Sequence, residues 1–335
     1  MTFPISYFLF FCTLLTGTLL SICSSSWFGA WIGLELNLLS FIPLIAIKLC
    51  PYSTEAAIKY FLIQALASTI LIMSSSIHMY SNDFSYILIA LSLLLKLGAA
   101  PLHFWFPQVI EGLTWPQALI LLTIQKLAPM FLISYLTFSS NLIFLITVSA
   151  IFSSIIGALG GLNILKLRKL MAFSSINHMS WMLIAMTIND MMWLTYFLFY
   201  SFISSSVIIL LHLTQAYSIS NLTNQNKNNT IINILLPLNI LSLGGLPPFM
   251  GFSPKWIMIQ LLTSKMMIFS LLIFLFSSLI TLYFYLRLFI PMILLSFPSF
   301  SFSLKIKSLS TSSLPLIILT FINMFGLCLP IPFSI

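Results

Sequence analysis

The feature that most constrains this chain is a succession of apolar segments, each about 20 residues long, the length that an α-helix needs to cross a bilayer. Of the 335 residues, 60% are hydrophobic and 5% are charged, whereas soluble domains average roughly 25% charged residues. A soluble protein of this composition could not cover its surface with polar groups, but lipid removes that requirement. The composition therefore predicts an all-α integral membrane protein, and the thinly spread net charge of +8 is not a nucleic-acid-binding signal.

Hydropathy predicts about eleven transmembrane helices in a single transmembrane domain, residues 1–335, since no long polar linker divides the chain. The predicted spans lie near 3–23, 26–48, 55–78, 84–106, 114–138, 142–161, 167–187, 190–217, 230–263, 267–293 and 313–331. The ninth region is too long for one straight span and contains LSLGGLPPFMGFSPKW. Because proline interrupts helical hydrogen bonding, we expect this region to break in its middle.

The basic residues predict the orientation of the chain. In this assignment of spans, one side of the membrane carries Lys48, Lys166, Arg168, Lys169, Lys227, Lys305 and Lys307. The other side carries Lys265 with Asp83 and Asp190. The positive-inside rule then places the N-terminus and the basic loops on the cytoplasmic or matrix side, and an odd number of spans places the C-terminus on the opposite side.

The N-terminal segment and the cysteines exclude several other classes of protein. The first basic residue is Lys48, so the N-terminus has neither the basic region of a secretory signal nor an Arg-rich transit pattern. This favours an uncleaved first helix and synthesis inside an organelle or a bacterium. The four cysteines are widely spaced, without the clustering that iron–sulfur or zinc sites need. Nucleotide-binding and hydrolase motifs are also missing from the sequence, so we predict no cofactor on this chain.

Four charged residues lie deep inside predicted spans, where ionisable groups indicate function. Glu35 is about 13 Å from the nearer end of its span, at about 1.5 Å per residue. Lys96 and Lys126 lie near the middle of theirs, beyond the reach of a lysine that extends along the helix toward the headgroups. Lys255 follows the expected break in the ninth region. Glu35, Lys96 and Lys126 could instead form structural ion pairs, and Lys255 could instead lie nearer the membrane interface.

Helix breaks and histidines accompany these charges. Ala128-Pro129 follows Lys126, and several glycines and prolines precede Lys255, so we expect broken helices near both lysines. Broken helices with ion sites at mid-membrane are typical of transporters. His178, on a span with several small polar residues, is a candidate for proton relay. His103 is about equally consistent with a structural role. His78 and His212 are unassigned, and Glu55 and Lys59 are expected to pair at i, i+4.

A row of buried charges could pass a protonation state along the membrane. Desolvation disfavours the charged form of a buried amine, and a nearby carboxylate favours it. Two charges about 7 Å apart interact by ~2–2.5 kcal/mol at an effective dielectric of about 20. Moving one proton against 100 mV requires about 2.3 kcal/mol, so such couplings are large enough to matter. The sequence gives the charges but no distances between them.

Five stretches carry a family resemblance. They are SSWFGAWIGLELNLLSFIPL, STEAAIKYFLIQALAS, LLLKLGAAPLHFWFPQVIEGLTWPQALILLTIQKLAP, IIGALGGLNILKLRKLMAFSSINHMSWML and LSLGGLPPFMGFSPKW. Together they resemble the NADH dehydrogenase subunit 2 family of mitochondrial complex I, in an arthropod-like form. The resemblance runs through most of residues 24–290, whereas the first span and the region after about 291 carry little of it.

The resemblance implies an antiporter-like fold related to Mrp-type cation/proton antiporters. Animal members of the family look like a fourteen-helix fold without its first three helices. The family's glutamate corresponds to Glu35, its central lysines to Lys96 and Lys126, and its distal lysine to Lys255, with His178 in the relay region. NADH, FMN, iron–sulfur clusters and ubiquinone would be bound by other subunits. The implied partners are other membrane-arm subunits and phospholipids, in the mitochondrial inner membrane with the N-terminus and basic loops facing the matrix.

Three functional hypotheses follow. The first is a core membrane-arm subunit of NADH:ubiquinone oxidoreductase, a translocase subunit with no redox site of its own, in which Glu35, Lys96, Lys126, Lys255 and His178 relay protons. The second is a stand-alone cation/proton antiporter, which purified chain in vesicles would distinguish. The third is a structural spacer with inert ion pairs. In that case, replacing a whole Glu–Lys pair by apolar residues would leave proton pumping unchanged.

Overall fold

The computed structural model describes residues 5–46, 50–78, 82–224 and 230–296, together with Thr320 and Asn323. Apart from turns and one isolated bridge between Lys166 and Ser218, the secondary structure of these residues is helical. The helices are α1 (Ile5–Cys23), α2 (Trp27–Ile45), α3 (Pro51–Ile77), α4 (Asn82–Leu97), α5 (Trp105–Gly112), α6 (Trp115–Leu122), α7 (Ile124–Ser134), α8 (Ser140–Gly161), α9 (Leu167–Ile188), α10 (Asp190–Thr214), α11 (Ile219–Asn224), α12 (Thr230–Gly244), α13 (Phe252–Ser264) and α14 (Ile268–Ser296).

The chain divides into two compact units, 1–153 and 154–335, with the boundary inside α8. In unit 1, α3 packs against α2, α4 and α5, and α7 packs against α1, α4 and α6. In unit 2, α14 packs against α9, α12 and α13, while α10 contacts α9 and α12. The prediction of a single domain stays a prediction.

Seven helical segments of the described residues are long and apolar enough to cross a membrane. They are α1, α2, α3, the α6–α7 pair, α8, α10 and α14. The all-α membrane fold is therefore confirmed. The count of eleven spans stays a prediction, because α4 has only 16 residues, the ninth region is two shorter helices, and the predicted span 313–331 lies almost wholly outside the described residues.

Local sequence signals fix several helix ends. The Ser26 hydroxyl accepts a hydrogen bond from the Gly29 N–H at 3.2 Å and so caps the start of α2. Pro51 begins α3, a position where its missing N–H costs nothing. The Gln117 side chain accepts from the Thr114 N–H at the start of α6 and donates to the Leu44 carbonyl at the end of α2, at 2.8 and 2.7 Å. One amide thus satisfies the ends of two helices.

Glycines bring helices into close contact where backbone meets backbone. A Cβ atom on Gly33 of α2 would lie 2.5 Å from the Ser21 nitrogen and 2.8 Å from the Gly17 oxygen of α1. In unit 2, a Cβ on Gly157 of α8 would lie 2.7 Å from the Asn177 nitrogen of α9. Small residues are what permit such approach between membrane helices.

The helix break near Lys255 is confirmed. The helical region ends at Gly244 and resumes at Phe252, and Gly245 adopts a left-handed φ of 75°. Gly251 lies so close to the Ser242 carbonyl that a Cβ atom there would overlap it. The stretch 245–251 thus needs glycine at both of its ends.

The break near Lys126 is also confirmed, but it lies on the other side of the lysine from the expected one. Helix α6 ends at Leu122, Thr123 has φ −117° and ψ −77°, and α7 then runs through Pro129. The missing N–H of Pro129 removes the helical partner of the Gln125 carbonyl without ending the helix. The fourth span is broken as well, which the sequence analysis missed: α4 ends at Leu97, and α5 begins only at Trp105.

Candidate functional site

The main candidate site is a cavity inside unit 1 that contains two buried lysines. The volume open to the centres of water molecules is about 20 Å³, and a cavity needs about 10–15 Å³ of this kind to hold one water. The lining is formed by Leu34, Asn37, Leu38, Tyr60, Gln64, Lys96, Leu97, Trp105, Phe106, Leu121, Gln125, Lys126 and Pro129. Charged and polar groups therefore line a space large enough for water.

Lys126 enters this cavity from the first turn of α7, three residues beyond the break at Thr123. Its side chain is 2% exposed, and the Nζ atom lies 5.3 Å from the centre of the Phe106 ring. An ammonium at this distance from an aromatic face is attracted by the ring's quadrupole. The Phe106 ring thus gives the Lys126 ammonium a favourable neighbour inside the protein.

Lys96 lies in the last turn of α4, where the fourth span is interrupted. Side chains also donate to carbonyls at this interruption: Gln64 Nε2 donates to the Lys96 carbonyl at 3.2 Å, and Trp105 Nε1 donates at 3.1 Å to the Leu95 carbonyl, which also accepts from the Gly98 N–H. Gly98 permits the turn with a φ of 70°. The sequence analysis placed Lys96 in the middle of a continuous helix, whereas the structure places it at a break.

Three side chains form a hydrogen-bonded string along the cavity wall. Gln125 Nε2 donates to Asn37 Oδ1 at 2.9 Å, and the Tyr60 hydroxyl donates to Gln125 Oε1 at 3.3 Å. Sequence analysis missed these residues and Gln64, because it considered only groups that carry charge. The available signal was an amide or a phenol inside an apolar span, since such groups usually face the interior of a bundle.

Glu35 lies at the middle of α2, as predicted, but it does not line the cavity. It is half-buried, and its Oε2 atom is buried without a hydrogen-bond partner among the described residues. Glu35 interacts electrostatically with Lys96 and with Tyr60. Among the described residues it forms no direct salt bridge to Lys96. The carboxylate therefore acts on the cavity from a distance.

Lys255 occupies the first turn of α13 in unit 2 and is 6% exposed. Its Nζ atom donates to the Gly244 carbonyl, the last residue of α12, at 2.9 Å. The break thus presents a backbone acceptor to the buried amine. The position of Lys255 beside an opened helix agrees with the sequence analysis.

His178 lies inside α9 in unit 2, where it is 7% exposed. Its Nδ1 atom is 3.0 Å from the Tyr196 hydroxyl, and its ring centre is 5.1 Å from that of Tyr200. The Tyr200 hydroxyl in turn faces Ser175. His178 therefore belongs to a buried polar cluster, of which the sequence analysis identified only the histidine and the small polar residues.

The surroundings of His103 and of the Glu55–Lys59 pair indicate structural roles. His103 contacts the Pro101 carbonyl at 3.2 Å and lies against the Phe104 ring, so its surroundings favour the structural interpretation. Glu55 and Lys59 form the expected pair, at 2.6 Å on an exposed helix face. Of the five predicted site residues, Lys96 and Lys126 share one cavity with Glu35 acting on Lys96, while His178 and Lys255 lie in unit 2.

These features define a multi-pass membrane protein of antiporter-like fold, with buried lysines at helix breaks. Residues 24–85 and 77–281 match the family model described as "NADH:quinone oxidoreductase/Mrp antiporter, TM". The chain is 48% identical over 333 residues to NADH-ubiquinone oxidoreductase chain 2 of Anopheles gambiae, and the match covers 96% of each protein. The chain belongs to this family of NADH:quinone oxidoreductase and Mrp antiporter membrane proteins.

Solved structures show the same fold. A chain of respiratory complex I from Thermus thermophilus, determined with bound aureothin, superposes with a TM-score of 0.82 at 20% identity, over 98% of this chain and 81% of that one. A chain of the Mrp complex from Dietzia superposes with a TM-score of 0.73 at 16% identity, over 82% of this chain and 58% of that one. The antiporter-like fold predicted from the sequence is therefore confirmed.

Proposed function

We propose that this chain is a proton-translocating subunit of the membrane arm of an NADH:ubiquinone oxidoreductase. Protons would be relayed by Glu35, Lys96 and Lys126 in unit 1 and by His178 and Lys255 in unit 2. The observation that best supports this proposal is that Lys96 and Lys126 line one water-sized polar cavity among apolar helices. Buried lysines in a membrane protein mark ion pathways far more often than they serve as inert packing.

Both lysines lie beside interrupted helices, and this supports a hydrated path. Non-helical backbone at membrane depth is tolerated only where protein or water satisfies it. In unit 1, Gln64 donates to the Lys96 carbonyl and Trp105 donates to the Leu95 carbonyl at the end of α4. The Asn37–Gln125–Tyr60 string adds donors and acceptors along the cavity wall. A proton entering this cavity would find hydrogen-bonding groups on several sides.

Electrostatic coupling would provide the driving step. Glu35 interacts electrostatically with Lys96, and two charges about 7 Å apart would interact by ~2–2.5 kcal/mol at an effective dielectric of about 20. That is comparable with the roughly 2.3 kcal/mol needed to move one proton against 100 mV. Redox chemistry elsewhere would set the charge state at one end of the relay, and the lysines would load and release protons in response.

The proposed setting is a hetero-oligomeric complex in the mitochondrial inner membrane. NADH, FMN, iron–sulfur clusters and ubiquinone would be bound by other subunits, and this chain would contribute to the translocase activity without a redox site. The relatives named NADH-ubiquinone oxidoreductase chain 2 support this assignment. Other membrane-arm subunits and phospholipids would cover the apolar exterior, on which Phe8, Phe144 and Phe276 are about two-thirds exposed.

The basic end of unit 2 supports the proposed orientation, with the N-terminus and basic loops in the matrix and the C-terminus in the intermembrane space. The backbones of Lys166 and Ser218 form an isolated antiparallel β-bridge, and the Arg168 guanidinium lies 4.7 Å from the centre of the Tyr217 ring. Arg287 donates to the Leu162 carbonyl at 2.7 Å. These contacts gather the cations at one end of α8, α9 and α14. Lys48, Lys227, Lys305 and Lys307 lie outside the described residues.

The deciding experiment replaces Lys126 by methionine, which keeps the length and the apolar stem of the side chain but removes the amine. The matched control is Lys265→Met, an exposed lysine at the end of α13. The assembled complex in sealed membrane vesicles is assayed for NADH oxidation and for protons moved per NADH. We expect Lys126→Met to reduce proton movement strongly while the complex still assembles, and Lys265→Met to match the wild type.

Two outcomes would contradict the proposal in different ways. An assembled Lys126→Met complex with normal proton stoichiometry would favour a structural spacer. Cation-driven proton exchange by the purified chain alone in vesicles, with no partner subunit present, would favour a stand-alone antiporter.

A further inference from the structure

Helix α14 carries a polar stripe that the proposed relay does not include. Ser277, Thr281 and Tyr285 follow one another at four-residue spacing and are only 3%, 2% and 1% exposed. At this spacing, the three side chains lie along one face of the helix. The opposite face is strongly apolar and exposed, with Phe276 and Leu279 at 66% and 62%. This 29-residue apolar helix thus has one buried polar face.

The stripe faces α9, the helix that carries His178. The Ser277 hydroxyl lies 2.9 Å from the Phe274 carbonyl of its own helix and 3.4 Å from Asn177 Oδ1 of α9, and can donate to either. The Tyr285 hydroxyl faces Ser174, but it is buried and makes no hydrogen bond of normal geometry to the described residues. A hydroxyl buried in this way has lost its hydrogen bonds to water without gaining a replacement, which destabilises the folded state. A phenylalanine such as the neighbouring Phe284, which fills the same volume without a hydroxyl, would avoid that cost.

Tyr285 also reaches the break that carries Lys255. Its Cδ2 atom lies 3.5 Å from the position of a Cβ atom on Gly244. The Gly244 carbonyl is the acceptor for the Lys255 amine. Tyr285 also interacts electrostatically with Tyr200, whose ring centre lies 5.1 Å from that of His178. Tyr285 is therefore adjacent to the helix break of Lys255 through its ring and interacts with a member of the His178 cluster.

We propose that Tyr285 is a further relay residue, whose hydroxyl connects the His178 cluster with the Lys255 break inside unit 2. In each transfer the hydroxyl would accept a proton on its oxygen and release its own proton to the next group. The phenol is thereby regenerated, with no net change at the residue. This inference rests on the proposed proton-translocating function and adds a residue that charge alone would not identify.

The test is Tyr285→Phe, which removes one oxygen and keeps the ring. The matched control is Tyr283→Phe, which removes the same atom two residues away on the same helix, from a side chain that is 61% exposed. Lys255→Met is measured beside them. Each variant complex, assembled in sealed vesicles, is assayed for protons moved per NADH across a range of pH. We expect Tyr285→Phe to lower proton movement about threefold to tenfold and to alter its pH profile, and Tyr283→Phe to change neither.

The failures of the two proposals are distinguishable. If Lys255→Met reduces proton movement but Tyr285→Phe behaves like Tyr283→Phe, the relay role of Tyr285 is wrong and the proposed function stands. If Lys255→Met also moves protons normally, the proposed function fails for this unit and the inference fails with it. If Tyr285→Phe prevents assembly, the hydroxyl serves folding, and the inference is overturned.

Discussion

The helix break before Lys255 gives the sharpest test of how backbone geometry positions a lysine of the proposed relay. Gly245 follows the last residue of α12 and has a φ of 75°, the left-handed conformation that commonly ends helices. An alanine at this position must adopt the same conformation, at a cost of about 1–2 kcal/mol. Its Cβ atom would also lie 3.0 Å from both the Cδ and the Nζ atoms of Lys255 and 3.1 Å from the Gly251 oxygen.

The second contribution comes from this crowding. Overpacking a well-filled site costs about 1–3 kcal/mol, so Gly245→Ala should destabilise the native structure by about 2–5 kcal/mol in total. The neighbouring Gly244→Ala is the matched control. Gly244 is helical, and its Cβ atom would meet only the Tyr285 ring, at 3.5 Å. Alanine is favoured over glycine inside a helix by about 0.5–1 kcal/mol. Gly244→Ala should therefore stabilise the native structure, whereas Gly245→Ala should destabilise it.

The assay is the thermal inactivation midpoint of the assembled complex, followed by protons moved per NADH. Gly245→Ala should inactivate at a lower temperature, and it should pump less because the Lys255 amine is displaced from the Gly244 carbonyl. Gly244→Ala should match or exceed the wild type in both measurements. Equal behaviour of the two variants would refute the reasoning, because it would mean that the left-handed residue and its contact with Lys255 do not control this site.

Two further predictions concern unit 1. Gly33→Ala should separate α1 from α2 and destabilise the complex by about 1–3 kcal/mol, because the added Cβ meets backbone atoms. The control is Gly29→Ala, whose added Cβ meets only side-chain atoms. Equal thermal inactivation midpoints for the two variants would contradict this prediction. Gln125→Met should leave the Asn37 side chain without its donor and destabilise the complex by about 1–3 kcal/mol. It should also lower proton movement at an unchanged rate of NADH oxidation. Unchanged stability and proton movement would show that the hydrogen-bonded string is dispensable.

Much of the fold could be predicted because hydropathy determines where helices lie in a membrane. The predicted span 142–161 corresponds to Ser140–Gly161, and 167–187 corresponds to Leu167–Ile188. The break before Lys255 was predictable because two glycines and two prolines leave no continuous helix possible there.

The other breaks could not be placed from sequence, because tertiary contacts decide them. Pro129 suggested a break after Lys126, yet a proline removes only one hydrogen bond and α7 continues through it. The interruption at Thr123 has no comparable local signal. At the interruption after Leu97, Gln64 and Trp105 donate to the Lys96 and Leu95 carbonyls. A Gly-Ala-Ala-Pro stretch alone does not show that such donors lie nearby.

The polar residues of the cavity also required the structure. Asn37 and Gln125 are 88 positions apart in the sequence, and no periodicity relates them. The charged residues could be predicted individually because a charge in a span is rare. Their mutual placement could not, and the sequence analysis treated the four charges as one row without knowing which of them share a cavity.

Under the proposed function, the neighbours of the lysines matter as much as the lysines. A carboxylate in direct contact, at about 4 Å, would hold an ammonium with about 4 kcal/mol at an effective dielectric of about 20. That exceeds the roughly 2.3 kcal/mol available from moving one proton through 100 mV, so a direct ion pair would keep the lysine charged. Lys255 instead donates to the neutral Gly244 carbonyl, and among the described residues Glu35 acts on Lys96 without a direct salt bridge. Helix breaks supply such neutral acceptors, which explains why a relay lysine is better placed beside an opened helix than beside an acid.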